Sequence, residues 1–272
     1  MTARELGARA AAIRRKLSER DLAVLHSLGQ LRLLTTHHVE RLHVADGSPI
    51  TRARRARSVL QRLHGLGLVV RLGSRTVGGF KSGSDSHLHG LSGLGQAVLG
   101  VPGTYGGRRR SPWETKPYFA DHVLAVSELH VRLVETSRTS GAELLTFEAE
   151  PACWRHYAGT GGEPLTLKPD AYVRIGVGDI ERSTFVEADL ATESPNTIKR
   201  KCQAFINYWH SGTEQERHGV FPGVLWLVPT EHRRERLAEV VRHLAHEAQA
   251  LFTVACFDDG TALLTAPEGG TT

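Results

Sequence analysis

A chain of 272 residues, 40% hydrophobic and 23% charged, has the composition of a folded protein, and its length suits two domains of about 100–150 residues. No apolar run nears the roughly 20 residues that cross a bilayer, and none follows the N-terminal charges. We therefore expect a cytoplasmic protein with no membrane partner and no secretory signal. The net charge of +5 hides an asymmetry: residues 1–118 hold 20 Lys/Arg against 7 Asp/Glu, while residues 119–272 hold 14 against 22. A basic half suits a polyanion, and an acidic half repels one unless its carboxylates hold metal ions. Three distant cysteines (153, 202 and 256) form neither a disulfide framework nor a zinc site.

In chain order, Ser18 caps a helix over 19–29 with Leu22, Leu25 and Leu28 on its inner face. Thr35 or Thr36 caps a second helix carrying Val39 and Leu42. Pro49 opens a third, with Ala53, Ala56, Leu60 and Leu63 as its apolar stripe and Gly65 and Gly67 at its end. LVVRL reads as a strand, 73–85 as a turn, and SHLHGLS as the returning strand. Three helices and a ribbon are the parts of a winged helix-turn-helix. Between Gly47 and Ser84 stand eight basic residues (Arg52, Arg54, Arg55, Arg57, Arg62, Arg71, Arg75 and Lys81) and no acidic one. Those on the third helix would meet base edges and phosphates in a major groove, with Arg55 as the expected base reader. Arg71, Arg75 and Lys81 would reach the flanking backbone from the wing.

Glycine, arginine and proline mark residues 96–117 as a linker between a winged helix over 1–95 and a second domain over 118–272. That second domain alternates: a helix at 118–138, then strands at 143–149, 169–177 and 183–190. A helix at 196–210, a strand at 222–228, a helix at 231–250 and a strand at 252–257 follow. The order α-β-β-β-α-β implies an α/β sandwich around a mixed sheet.

Glu187 and Asp189, two apart on one strand, share a face, and antiparallel pairing would bring Asp170 to them. Carboxylates crowded on one sheet face raise each other's pKa unless a cation intervenes. Their hard oxygens suit Mg²⁺ or Mn²⁺, with Asp170 and Glu187 as the expected ligands and Glu128 or Glu150 as candidates to complete the shell. Tyr208 beside Trp209 reads as core rather than as a nucleophile, Trp226 as core, and the histidine pairs at 37–38 and 87/89 as structural.

PDAYVRIG followed by FVEADLATESPNTIKRKCQAFINYW resembles the PD-(D/E)xK nuclease-like signature, in the form carried by the replication-relaxation family of plasmids and integrative elements. The resemblance covers nearly the whole chain and implies a winged helix joined to a restriction-endonuclease-like domain. It matches Pro169 and Asp170 to the first half of the motif and Glu187 to its acidic residue, and it gives Asp170, Glu187, Asp189 and Lys201 as the catalytic set. Asp189 stands where an active nuclease of this fold carries lysine, and Lys199 or Lys201 on the next helix would supply the missing charge.

The expected function is recognition of a duplex site in a mobile element, with metal-dependent nicking or processing of that DNA. The alternative is a transcription or replication regulator, or an adaptor, whose nuclease-like domain is inactive. There it would serve homodimerisation or recruit replication or transfer proteins.

Overall fold

A computed structural model describes residues 3–72, 87–100 and 117–267. The chain divides into two compact units, Met1–Val131 and Arg132–Thr272. Among the described residues no helix is long and apolar enough to cross a membrane. Both units are mixed α/β.

The first unit begins with α1 (Ala3–Arg14), which the sequence reading had not assigned, and α2 (Glu19–Leu31). Ser18 and Asp21 form a reciprocal capping box at the start of α2. Strand β1 (Leu34–Thr35) leads into α3 (Thr36–His43), capped by Thr35, and Ser48 then caps α4 (Pro49–Gly65). Strands β2 (Val69–Leu72) and β3 (Leu88–Leu91) flank the expected turn and complete a sheet of order β1-β3-β2. Helix α5 (Gly93–Leu99) occupies the start of the expected linker, so 96–99 are helical rather than extended. Ser92 caps α5 through the Gly95 N–H at 3.0 Å. At Gly95 a Cβ would stand 2.2 Å from the Leu68 carbonyl oxygen, so only glycine allows this approach. Arg75, Lys81, most of the linker and the triplet 108–110 lie outside the described residues.

Helix α6 (Pro117–Thr139) contains the division between the units. The second unit continues with β4 (Ala142–Ala149), the hairpin β5 (Arg155–Ala158) and β6 (Pro164–Leu167), β7 (Ala171–Val177) and β8 (Ile180–Ala188). Then come α7 (Pro195–His210), α8 (Thr213–His218), β9 (Gly223–Val228), α9 (Glu231–Arg242), α10 (His246–Gln249), β10 (Phe252–Cys256) and α11 (Phe257–Thr265). Five strands form a sheet of order β10-β9-β8-β7-β4, antiparallel through β4, β7 and β8 and parallel through β8, β9 and β10. Tyr172, Phe185, Val224 and Trp226 pack with Ile198, Cys202 and Phe205 of α7 and Leu237 and Val241 of α9. The expected helix 231–250 is two pieces. The Gln249 amide donates to the Arg242 and Leu244 carbonyls that the break releases, both at 3.1 Å.

Two buried histidines set the acid response of the first unit. His89 hydrogen-bonds Thr36 Oγ1 at 3.0 Å and His64 at 3.1 Å. Burial, then the neighbouring His64, Arg71 and His87, push its pKa down to about 3. Burial, then His43 and His38, push His130 down to about 4. The unfolded imidazoles titrate near 6.5, so between that value and the folded ones only the unfolded chain takes up these protons. Stability is therefore expected to fall as pH drops through this window, by about 1.4 kcal/mol per pH unit for each histidine. Denaturant midpoints from pH 7 to 4.5 check this, and a flat profile would contradict it.

Candidate functional site

Asp170 stands one residue before β7, whose pairing with β8 begins at Ala171 opposite Val186, and it lies close enough to Glu187 for its charge to act there. The Asp170 N–H donates to the Val186 carbonyl at 3.1 Å. Alternation along the strands puts Asp170 and Tyr172, Phe185 and Glu187, and Val224 and Trp226 on the face that α7 covers. Both carboxyl groups are buried, Asp170 at 7% exposure and Glu187 at 2%.

Each is held by a different kind of donor. Asp170 Oδ2 accepts the backbone N–H of Ala188 at 2.8 Å. Glu187 Oε2 accepts from Lys201 Nζ at 3.0 Å, and the same ammonium meets Glu193 Oε1 at 2.8 Å. Lys201 also stands 5.6 Å from the Trp226 ring centre, within cation–π range. Ser194 caps α7 and starts the helix so that Lys201 comes to the inner face, while Lys199 is exposed. Of the two lysines considered, the structure brings Lys201 to the carboxylates.

The electrostatics follow from burial. Desolvation, then the charge of Asp170, raises the Glu187 pKa well above the usual carboxylate range against the pull of Lys201. Burial opposes the Lys201 charge, but Glu187, Asp170 and Glu193 outweigh it and hold the amine above its ordinary value. Two buried thiols border the site. Burial, then Glu187, pushes Cys202 up to about 12, and burial, then Glu150 and Asp170, raises Cys153 further.

Asp189 lies one residue beyond β8 and does not join the pair. Its Oδ2 binds Nε of the buried Arg233 at 2.5 Å, and Arg233 Nη2 donates to the Glu193 carbonyl at 2.7 Å. Asp189 Oδ1 has no hydrogen-bond partner among the described residues. Sequence reasoning missed Arg233 because HRRER looks like a solvated run. Its spacing from Leu237 and Val241, four and eight residues on, is the signal that places it on the buried stripe of α9. Glu128 sits in the first unit, 2.7 Å from Arg41 and 3.1 Å from His38. Glu150 accepts from the Trp154 indole at 3.3 Å. Tyr208 is fully buried with its hydroxyl on Glu214, which fits core packing.

Among the described residues no three His, Cys, Asp or Glu side chains are arranged to hold a metal. The hard oxygens of the buried Asp170 and Glu187 are of the kind that Mg²⁺ or Mn²⁺ takes.

On α4, Arg52 lies 3.5 Å from Glu40, Arg55 donates to the Asp46 carbonyl at 3.1 Å, and Arg57 donates to the Ala53 carbonyl at 3.2 Å. Arg62 binds the buried Asp21. Arg54 is exposed, as is Arg71 on β2.

The family model described as Replication-relaxation matches residues 25–224. No curated protein and no solved structure matches the chain.

Removing Lys201 leaves Glu187 buried beside Asp170 without its counter-charge. Lys201→Met is expected to destabilise the chain by about 3 kcal/mol in denaturant unfolding. Adding Glu187→Gln to that variant should recover most of the loss, giving a clear coupling energy in the double-mutant cycle.

Proposed function

The chain belongs to the replication-relaxation family, and from that premise we propose that it is a mobile-element protein that binds duplex DNA and nicks it. In this reading the first unit is a winged helix with α4 as its recognition helix. The second is a PD-(D/E)xK nuclease-like domain built on β4, β7, β8, α7 and β9. The observation that carries the chemistry is the Lys201 ammonium 3.0 Å from Glu187, whose carboxyl also feels the charge of Asp170. A helix-borne lysine there supplies the charge that the motif normally draws from the position of Asp189.

Asp170, oriented by the Ala188 N–H, and Glu187 present the oxygens for a divalent cation. Bound there, Mg²⁺ or Mn²⁺ would polarise the scissile phosphate and lower the pKa of an attacking water. Lys201, kept protonated by Glu187, Asp170 and Glu193, offsets the negative charge that builds on the phosphate during displacement. Arg52, Arg54, Arg55, Arg57, Arg62 and Arg71 form the basic surface for the duplex. Arg75 and Lys81 belong to the same acid-free stretch of sequence.

A second reading, a regulator or adaptor with an inactive nuclease-like domain, is favoured by Asp189. Its carboxylate is the partner of Arg233, so the position that usually carries lysine has a structural use here. In that case a homodimer or recruited replication or transfer proteins would replace cleavage as the output.

The two readings separate on a supercoiled plasmid carrying the element's own origin, incubated with Mg²⁺ or Mn²⁺. Nicked circles are expected from the wild type and from neither Asp170→Asn nor Glu187→Gln, with all three binding the DNA equally. Lys201→Ala should slow nicking by about 10²-fold, the scale of one lost electrostatic stabiliser. An absence of nicking by the wild type, or nicking by Asp170→Asn, would remove the enzyme reading and leave the regulator.

A further inference from the structure

Helix α4 divides its own surface. At about 100° per residue, Ile50, Arg54, Arg57 and Gln61 fall on a stripe roughly 60° wide. That stripe lies opposite the buried Ala56, Val59, Leu60 and Leu63. Arg55 and Arg62 fall to one side of it and Arg52 on the far side, and each of the three is fastened to a neighbouring segment. The anchors of Arg52, Arg55 and Arg62 are respectively Glu40, the Asp46 carbonyl and Asp21. The stripe itself is not fastened. Among the described residues Arg54 has no hydrogen-bond or ion-pair partner, and Arg57 donates to a carbonyl of its own helix.

Ile50 leads the stripe at 82% exposure, higher than any other exposed large hydrophobic side chain described. A single exposed isoleucine is ordinary on a protein surface. This one shares its stripe with two outward arginines at the N-terminal end of an acid-free helix. That combination of aliphatic and forked cationic groups matches the major-groove edge of DNA, where guanine offers two acceptors and thymine a methyl group.

We propose that Ile50 and Arg54 are the sequence readers of this protein: Ile50 packs on the 5-methyl of a thymine, and Arg54 donates a paired hydrogen bond to a neighbouring guanine. Arg52, Arg55 and Arg62 set the register through phosphates with their remaining N–H groups. Arg20, Arg55 and Arg62 line a surface groove with Ser18, Glu19, Ser58 and Val59, so a strand backbone along it would meet three arginines and one carboxylate. This moves base reading from Arg55, the residue the sequence alone suggested, to the residues that no neighbour restrains. It rests on the duplex-DNA reading above and is independent of cleavage.

The test uses the full chain and a random-sequence duplex library selected at fixed salt. The enriched site is resynthesised with each thymine replaced in turn by deoxyuridine, which lacks only the methyl group. One replacement is expected to weaken wild-type binding about fourfold, the scale of one buried methyl-sized group. Ile50→Ala, a change in an exposed side chain, should be indifferent to that same replacement and keep the wild-type salt slope. Arg54→Ala should lose a guanine preference of about tenfold or more, whereas Arg55→Ala should weaken all sequences alike. Tolerance of deoxyuridine at every position, an enriched site without thymine, or full methyl dependence in Ile50→Ala would overturn the assignment while DNA binding stands. Failure to retain any duplex would remove the DNA reading and this inference with it.

Discussion

The second unit is organised around a single electrostatic constraint, two carboxyl groups buried near each other, one just before β7 and one on β8. Like charges in that position are unfavourable in proportion to their burial, and neither strand can turn them out without moving its apolar residues off the core face. Compensation has to come from another element. The Ala188 N–H, freed near the end of β8, turns to Asp170, and α7 brings Lys201 to Glu187. Glu193, in the connection between β8 and α7, holds the ammonium from its other side, and Arg233 of α9 grips the backbone of that residue. Strand, connection and two helices are thus tied to one another through charges.

The first unit solves a different problem with different means. Its positive charges are carried by a helix whose inner face is purely apolar, so they do not compete with packing. Where a carboxylate is buried, at Asp21, it is matched by Arg62 and by its own capping box, and these donors hold its pKa below the usual value against desolvation. The arginines of α4 consequently differ in freedom although they look alike in sequence.

Much of this architecture can be read from the amino acids because its periodicities are strong. Capping serines at 18, 48 and 194 mark three helix starts, and FVEADL and VLWLV mark central strands. That Asp170 comes near Glu187 follows from the antiparallel pairing of β7 with β8. What was not legible lacks such a period. RHYA and PLTL are only four residues each, half exposed and separated by a glycine-rich turn, so the alternation of the β5–β6 hairpin is too short to stand out. The break between α9 and α10 rests on a long-range amide–carbonyl arrangement that no local propensity encodes. Asp189 is the instructive case. Its spacing from Glu187 implied a shared site, but its partner lies 44 residues downstream and is visible only after folding.

That pairing also constrains which sequences are reachable from this one. A lysine at 189 would set a second cation against the Arg233 guanidinium in a buried position, and a neutral residue at 233 would leave the Asp189 carboxylate buried alone. Neither single change is accessible without a stability loss, and a joint change is tolerated only if it leaves no buried charge unmatched. Positions 189 and 233 should therefore vary as a pair among relatives, with Lys201 free to change only in lineages that have already made the joint change. The order of substitutions would be dictated by burial before catalysis entered at all.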